Sequence, residues 1–304
     1  MNKTIGQSKR LLGVEVSSTK LHSVCLETAT NVINYDSREL NKDAEVLPQL
    51  IEFIKEQQTK FGDFTKIGIA VSGLINQNTN RVVLSMRNPE HTEIDLAAEV
   101  KIATGLEVVL ENDANSAAFG EFTLGAGKGS RDMFYATLGE GVGGAIIFDG
   151  KLWRGNSGFA GEFGHIVIDT EGTKVEDVAS EAGIIKRVKN RLKQDYTSSL
   201  VNFEELRVSD LVNEANNGDD FAAMMLERTG NFVGIGIASV INLLNIEKIV
   251  IGGGVMQAEG LILNPIIESA KKLSFEPCFS ATQIVSDELG DKAASIGVAL
   301  LSDN

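Results

Sequence analysis

At 304 residues the chain is long enough for two domains, or for one large domain with a deep cleft. Hydrophobic residues make up 43% and charged residues 23%, the proportions of an ordinary globular protein, which excludes disordered and fibrous classes. The net charge of −14 argues against nucleic acid or an anionic membrane surface as partner, and leaves any anionic ligand dependent on local donors.

Taken in chain order, residues 1–9 read as a polar arm with no apolar stretch of signal length. Leu11–Val16 is an apolar run, Ser17-Ser18-Thr19-Lys20 a tight polar turn, and residues 21–26 a second apolar run: strand, turn, strand. A third extended segment is expected at residues 32–38. Residues 43–60 carry Val46, Leu47, Leu50, Phe53 and Ile54 at helical spacing. Residues 66–72 form a buried strand closed by Gly73, and residues 77–80 turn the chain into a short strand at 82–84. Residues 95–104 read as a helix with Asp95 near its N-cap and Gly105 at its end. The run 106–110 is a buried parallel strand, followed by Glu111-Asn112-Asp113-Ala114-Asn115 and a helix start.

Met133–Leu138, the turn Gly139-Glu140-Gly141-Val142-Gly143-Gly144 and the run 145–149 repeat the strand, small-residue turn, strand of residues 11–27. A glycine-rich loop over 155–165 precedes an expected strand at 166–169. From about Val178 the pattern is mostly helical, over 181–193, Val208–Asn216 and Asp220–Leu244. Residues 248–251 form a strand ended by Gly252-Gly253-Gly254, with helices at 261–272 and 292–301 to follow. No run reaches the ~20 apolar residues of a membrane span. Cys25 and Cys278 lie far apart with no CxxC spacing, and both read as buried thiols in a reducing compartment. The expected location is cytoplasmic.

Asp113 is the carboxylate at a strand tip that leads directly into a helix, the edge where ligands bind in open α/β sheets. An ordinary Asn/Asp helix cap has the same local pattern. The turns at Ser17-Ser18-Thr19, Gly139 to Gly144 and Gly252 to Gly254 each follow an apolar strand. Small residues there let backbone N–H groups approach phosphate oxygens; each turn alone is also an ordinary glycine turn. Together they have the layout of a nucleotide clamped between duplicated α/β halves. Phosphoryl transfer to a hydroxyl then needs a base such as Asp113, with Mg²⁺ and backbone donors on the phosphates. Asn112 beside it suits a polyol. Glu162, His165 and Glu176 form a carboxylate–imidazole–carboxylate set fitted to sugar hydroxyls, or else a capped turn with a surface histidine. His22 and His91 lack such company and read as surface or packing residues.

On these residues the chain resembles the ROK (repressor, open reading frame, kinase) family of bacterial sugar kinases and repressors, from about Leu11 to the C-terminus. Gly155 to His165 resembles the family's GxxGxAGEFGH signature. Glu111 to Asn115, Leu138 to Gly144 and Ile249 to Gly254 resemble its sugar-catalytic, second phosphate and adenosine motifs. The resemblance implies an α/β fold of the duplicated actin-like ATPase and ribonuclease H-like kind, with two α/β domains around a central cleft. The expected domains are residues 1–117 with 291–304, and residues 118–290 with a helical C-terminal part. It implies Asp113 as general base and Asn112, Glu162, His165, Glu176 and Asn88 as sugar ligands. Ser18, Thr19, Lys20, Gly139, Gly141, Gly143, Gly144, Gly253 and Gly254 would line the ATP, and Glu15 would hold Mg²⁺ through water. A hexose or N-acetylhexosamine substrate and a homodimer are further expectations.

Three departures from the family pattern bear on function. About ten residues precede the first strand, so no helix-turn-helix domain and no specific DNA binding are expected. The cysteine loop that holds zinc with the histidine is absent between His165 and Glu176, so no zinc site is expected, and His165 must be oriented by another hydrogen bond. Ser17-Ser18 stand where two glycines are usual, with hydroxyls able to donate to phosphate, and Glu140 stands where threonine is usual. A carboxylate about 4 Å from a phosphate is repelled by about 4 kcal/mol at an effective dielectric near 20, unless it turns away or pairs with Lys20. Two functions follow: an ATP-dependent, glucokinase-like hexose kinase, or a catalytically silent sugar-binding or regulatory protein of the same family.

Overall fold

The computed structural model describes residues 10–28, 30–62, 64–85, 88–194 and 197–303; the polar arm at 1–9 lies outside them. The chain divides into two units, one of residues 1–128, 154–160 and 291–304, the other of residues 129–153 and 161–290.

The first unit opens with an antiparallel meander of β1 (Leu11–Val16), β2 (Lys20–Thr28) and β3 (Asn31–Glu39). Then come α1 (Val46–Phe61), β4 (Lys66–Val71) and a small hairpin of β5 (Leu74–Asn76) and β6 (Arg81–Leu84). The short helix α2 (Glu90–Glu93), α3 (Leu96–Thr104), β7 (Glu107–Asn112) and α4 (Asp113–Leu124) follow. The sheet runs β3-β2-β1-β4-β7, with β1, β4 and β7 parallel. Helix α1 starts at Val46 rather than at 43; Glu45 is its N-cap and makes no capping side-chain bond. Helix α3 has the expected ends: the Asp95 carboxylate accepts the Ala98 N–H at 3.1 Å, and Gly105 takes the left-handed conformation.

Strand alternation divides the burial of this sheet. Leu12, Val14 and Val16 of β1 join Leu50, Phe53 and Ile54 of α1 in one core. On the other face the C-terminal helix, Ala293–Leu301, comes so close that a Cβ on Gly13 would lie 2.0 Å from the Ser295 carbonyl oxygen. A Cβ on Gly68, the neighbour of Gly13 in register, would lie 2.0 Å from the Val298 carbonyl oxygen.

The second unit repeats the order. Its meander is β8 (Met133–Leu138), β9 (Val142–Phe148) and β10 (Lys151–Leu152). Helices α5 (Val175–Ala179), α6 (Glu181–Leu192), α7 (Val208–Asn216) and α8 (Asp220–Leu244) precede β11 (Lys248–Gly252). Helices α9 (Gly260–Leu273) and α10 (Glu276–Ser280) then lead to β12 (Gln283–Ser286). The sheet runs β10-β9-β8-β11-β12, with β8, β11 and β12 parallel. Its core joins Phe134, Ala136 and Leu138 of β8 to Ile249 and Ile251 of β11 and to Val233, Ile237 and Ile241 of α8.

Several expectations are corrected. No strand forms at 166–169; an isolated bridge joins Val167 to Lys174 instead. The chain turns back too soon for a ladder: the Thr173 N–H bonds the Asp169 carboxylate at 2.8 Å, and Gly172 supplies a left-handed φ of 83°. Cys25 is buried as expected, but Cys278 is only partly buried, on a helix that buries none of its residues. His22 and His91 agree with the packing side of their expectation; both are buried, His22 bonds the Tyr35 hydroxyl, and His91 is 0% exposed with no partner at either ring nitrogen.

Candidate functional site

The junction of β7 and α4 builds itself from adjacent residues. Asn112 caps the helix, its Oδ1 accepting the Asn115 N–H at 3.0 Å. Its Nδ2 donates to the Gly73 carbonyl and to Asp113 Oδ1, both at 3.0 Å. Asp113 Oδ1 also accepts the Ala114 N–H at 2.9 Å. The carboxylate thus sits in the first turn of a helix, where the backbone dipole favours negative charge, and an amide fixes its rotamer.

Glu111 anchors this junction from below. It is 2% exposed. One oxygen accepts from Asn112 N and Asn115 Nδ2 at 3.0 Å and from Gln77 Nε2 at 3.3 Å. The other takes a two-pronged contact from Arg154, Nε at 3.0 Å and Nη2 at 2.6 Å. A buried carboxylate is costly unless its lone pairs are filled, and here five donors fill them. The pair also ties the start of the glycine-rich segment to the strand tip within the first unit.

Asn88 reaches the same turn. Gly73 receives Asn112, and the adjacent Ser72 carbonyl accepts the Ser85 hydroxyl at 2.7 Å. That hydroxyl in turn accepts the Asn88 N–H at 3.1 Å. Asn88 is buried, and its Nδ2 has no protein partner. A buried amide left so is a donor awaiting an acceptor.

Glu15, near the end of β1, feels Asp113 and Asp291. Burial first, then those two charges, push its carboxyl up to about 8. Among the described residues no group of three or more His, Cys, Asp or Glu side chains is placed to hold a metal ion directly. A divalent cation bound through water still suits this crowd of carboxylates, since it favours their charged forms. In the neighbouring turn the Ser17 hydroxyl is used internally. It donates to the Lys20 carbonyl and accepts the Lys20 N–H, both at 2.9 Å, so it does not point a donor outward as the sequence suggested. Lys20 Nζ lies 3.0 Å from Glu39.

In the second unit the two glycine turns lie side by side at the carboxyl ends of β8 and β11, where Gly252 pairs with Thr137. Gly139 accepts the Glu181 N–H at 2.8 Å. Gly253 has a φ of 97°, and a Cβ there would meet the Leu138 carbonyl oxygen at 2.4 Å. A Cβ on Gly254 would lie 3.3 Å from Glu181 Oε1, so a carboxylate borders these turns. Glu140 is exposed in the first of them. Gly144 and Gly161 let two backbones touch, since a Cβ on Gly161 would be 2.4 Å from the Gly144 carbonyl oxygen.

That contact seats the signature loop. Phe163 is buried against the Phe134 ring, edge to face at 5.4 Å. Glu162 and His165 flank it on a single 3₁₀ turn and are exposed. Glu176, in the first turn of α5, accepts the Val142 N–H at 3.0 Å, binding the phosphate-type turn to the loop. His165 Nδ1 lies 3.1 Å from Lys174 Nζ. An ammonium has only donors to offer that nitrogen.

The structure therefore groups Asn88, Asn112 and Asp113 in one unit, and Glu162, His165, Glu176 and the Gly139–Gly144 and Gly252–Gly254 turns in the other. Arg154, Lys174, Asp291 and Glu181 were not singled out from sequence. Arg154 is 43 positions from its partner, so no local signal existed; Glu181 follows the helix-capping Ser180, which masks it as an ordinary first-turn acid.

The sequence profile of the ROK family matches residues 11–304. A glucokinase of Halalkalibacterium halodurans is 30% identical over 94% of this chain and 92% of its own. A xylose repressor of Caldicellulosiruptor bescii is 29% identical over 98% of this chain and 78% of its own. The crystal structure of a ROK family glucokinase from Streptomyces griseus, in complex with glucose and AMPPNP, superposes with a TM-score of 0.84 at 26% identity. That match covers 97% of this chain and 99% of that one, and the fold shared is the actin-like ATPase fold.

Proposed function

The chain belongs to the ROK family, and from that premise we propose that it is an ATP-dependent hexose kinase with Asp113 as general base. The observation that carries this reading is the Asp113 carboxylate, fixed at a helix N-terminus by Asn112 and Ala114 and supported by the buried Glu111 with its half-buried partner Arg154. A sugar hydroxyl loses its proton to Asp113 as its oxygen bonds to the γ-phosphorus, and the bond from that phosphorus to the leaving ADP oxygen breaks. Asn112 and Asn88, with Glu162, His165 and Glu176, take the remaining hydroxyls; the open Nδ2 of Asn88 supports its part. Ser18, Thr19, Lys20, Gly139, Gly141, Gly143, Gly144, Gly253 and Gly254 take the nucleotide. Glu15 would hold Mg²⁺ through water, and the ion would neutralise charge on the phosphates. The reading carries a cytoplasmic homodimer with it; among the described residues no helix is long and apolar enough to cross a membrane.

Specific observations favour a second reading, a sugar-binding protein without catalysis. The Ser17 hydroxyl is spent on its own turn, and Glu140 and Glu181 add two carboxylates to the glycine turns. One experiment separates the two. Coupled detection of ADP over a panel of hexoses is run on the parent and on Asp113→Asn, with sugar binding measured in parallel. The kinase reading expects the variant to bind sugar within a few-fold of the parent and to lose about 10²–10⁴ in turnover. Equal turnover in parent and variant contradicts it. A parent that binds sugar yet shows neither ADP release nor affinity for MgATP supports the second reading.

A further inference from the structure

We infer that Lys174 is a positioning residue for His165: it fixes the ring tautomer and turns Nε2–H outward as a hydrogen-bond donor. This rests on the proposed role of His165 as a sugar ligand only for its consequence, not for its geometry.

The geometry lies within one loop. His165 ends the 3₁₀ turn Phe163–His165, and residues 166–175 fold back on themselves. Three contacts close that fold: the Ile168 N–H to the Thr173 carbonyl at 2.8 Å, the Val175 N–H to the Ile166 carbonyl at 3.0 Å, and the bridge of Val167 with Lys174. Lys174 is also held at the start of α5, its N–H donating to the Asp177 carboxylate at 2.9 Å. Both backbones are thereby fixed, and the Lys174 ammonium meets His165 Nδ1 at 3.1 Å.

The chemistry of the two groups assigns the proton. An ammonium has three donors and no acceptor, so the ring nitrogen facing it must offer its lone pair. The ring hydrogen is then on Nε2. The outward nitrogen is a donor and not an acceptor. A ligand oxygen that accepts from His165 has its own hydroxyl proton left for a carboxylate such as Glu162 or Glu176. A ligand that presents only a donor to this nitrogen is refused. The lysine thus selects among sugars without touching them.

The test reads the tautomer directly. The chain has three histidines, so the ¹⁵N ring signals of the labelled full chain are few, and His165→Gln identifies those of His165. The inference expects the Nε2–H tautomer in the parent and in Lys174→Arg. In Lys174→Glu, where an acceptor replaces the donor, the proton moves onto Nδ1. An unchanged His165 pattern in Lys174→Glu overturns the inference. The second readout is hexose binding. Lys174→Met weakens it by about tenfold, the share of one well-oriented hydrogen bond, and Lys174→Arg restores it. Full affinity in Lys174→Met alongside lost affinity in His165→Gln overturns the claim that the lysine orients the ring. The ring spectra need neither sugar nor ATP. If no hexose is phosphorylated they still decide the tautomer, so failure of the kinase reading and failure of this inference are told apart.

Discussion

Glu15 is where charge and burial meet in one side chain. Its folded pKa is raised from 4.5 to about 8, by burial first and then by Asp113 and Asp291. A carboxyl with a raised folded pKa stabilises the fold fully below its unfolded value, and that stabilisation is lost as pH rises through the folded value. His22 and His91 act in the opposite sense. Burial lowers both from 6.5, so their share is complete above that value and is lost only as pH falls. Between pH 7 and pH 9 Glu15 therefore governs the slope; Arg187, lowered to about 10, and Cys25, raised to about 11, titrate above it. The melting temperature of the ligand-free protein is expected to fall from pH 7 to pH 9. Mg²⁺ with nucleotide is expected to flatten that fall by favouring the carboxylate. A melting temperature that is level or rises across this window contradicts the assignment.

The elements carrying Asp113 are held by missing side chains. Gly297 of the C-terminal helix lies against α4, and a Cβ there would fall 1.7 Å from the Ser116 carbonyl oxygen. Two effects oppose each other in Gly297→Ala. Helix propensity alone favours alanine by about 1 kcal/mol, while forcing a methyl into closely packed backbone costs about 1–3 kcal/mol or more. A backbone carbonyl cannot rotate aside as a flexible side chain does, so the clash prevails. Denaturant unfolding should show a loss of about 2 kcal/mol, and α4 should lose its seating with it. An unchanged or higher midpoint would mean that propensity prevails and that the two helices do not meet as described.

The elements also mark how far sequence reaches. Strands β1 and β8 have the bounds that their apolar runs gave, and α3 has its Asp95 and Gly105 ends, because those signals are local. The segment 166–169 opens with the apolar run Ile166-Val167-Ile168 but turns back at Gly172, so it had no partner strand to meet. Strand β12 escaped notice because its four residues gain their place from pairing with β11, 35 positions earlier in register. The placement of Asn112 and Asp113 at a strand-to-helix step was legible in the sequence. The Arg154 guanidinium on Glu111 and the Lys174 ammonium on His165 were not, since each contact is made by a turn of the chain.

At the scale of the whole molecule, the duplicated hairpins foretold two related halves, and both sheets have the same order of a meander followed by two parallel strands. That order depends on non-local pairing and could be expected only through the family resemblance. Membership of the ROK family joins kinases and repressors, and relatives with both names match nearly the whole chain. Fold alone cannot choose between them; the choice falls to Asp113 on one side and to Ser17, Glu140 and Glu181 on the other. The most direct measurement is mass-spectrometric analysis of single hexoses incubated with the protein, Mg²⁺ and ATP. The account predicts at least one hexose that gains a single phosphoryl group in step with ADP formation. A hexose that binds tightly and is recovered unmodified at every ATP concentration would contradict it.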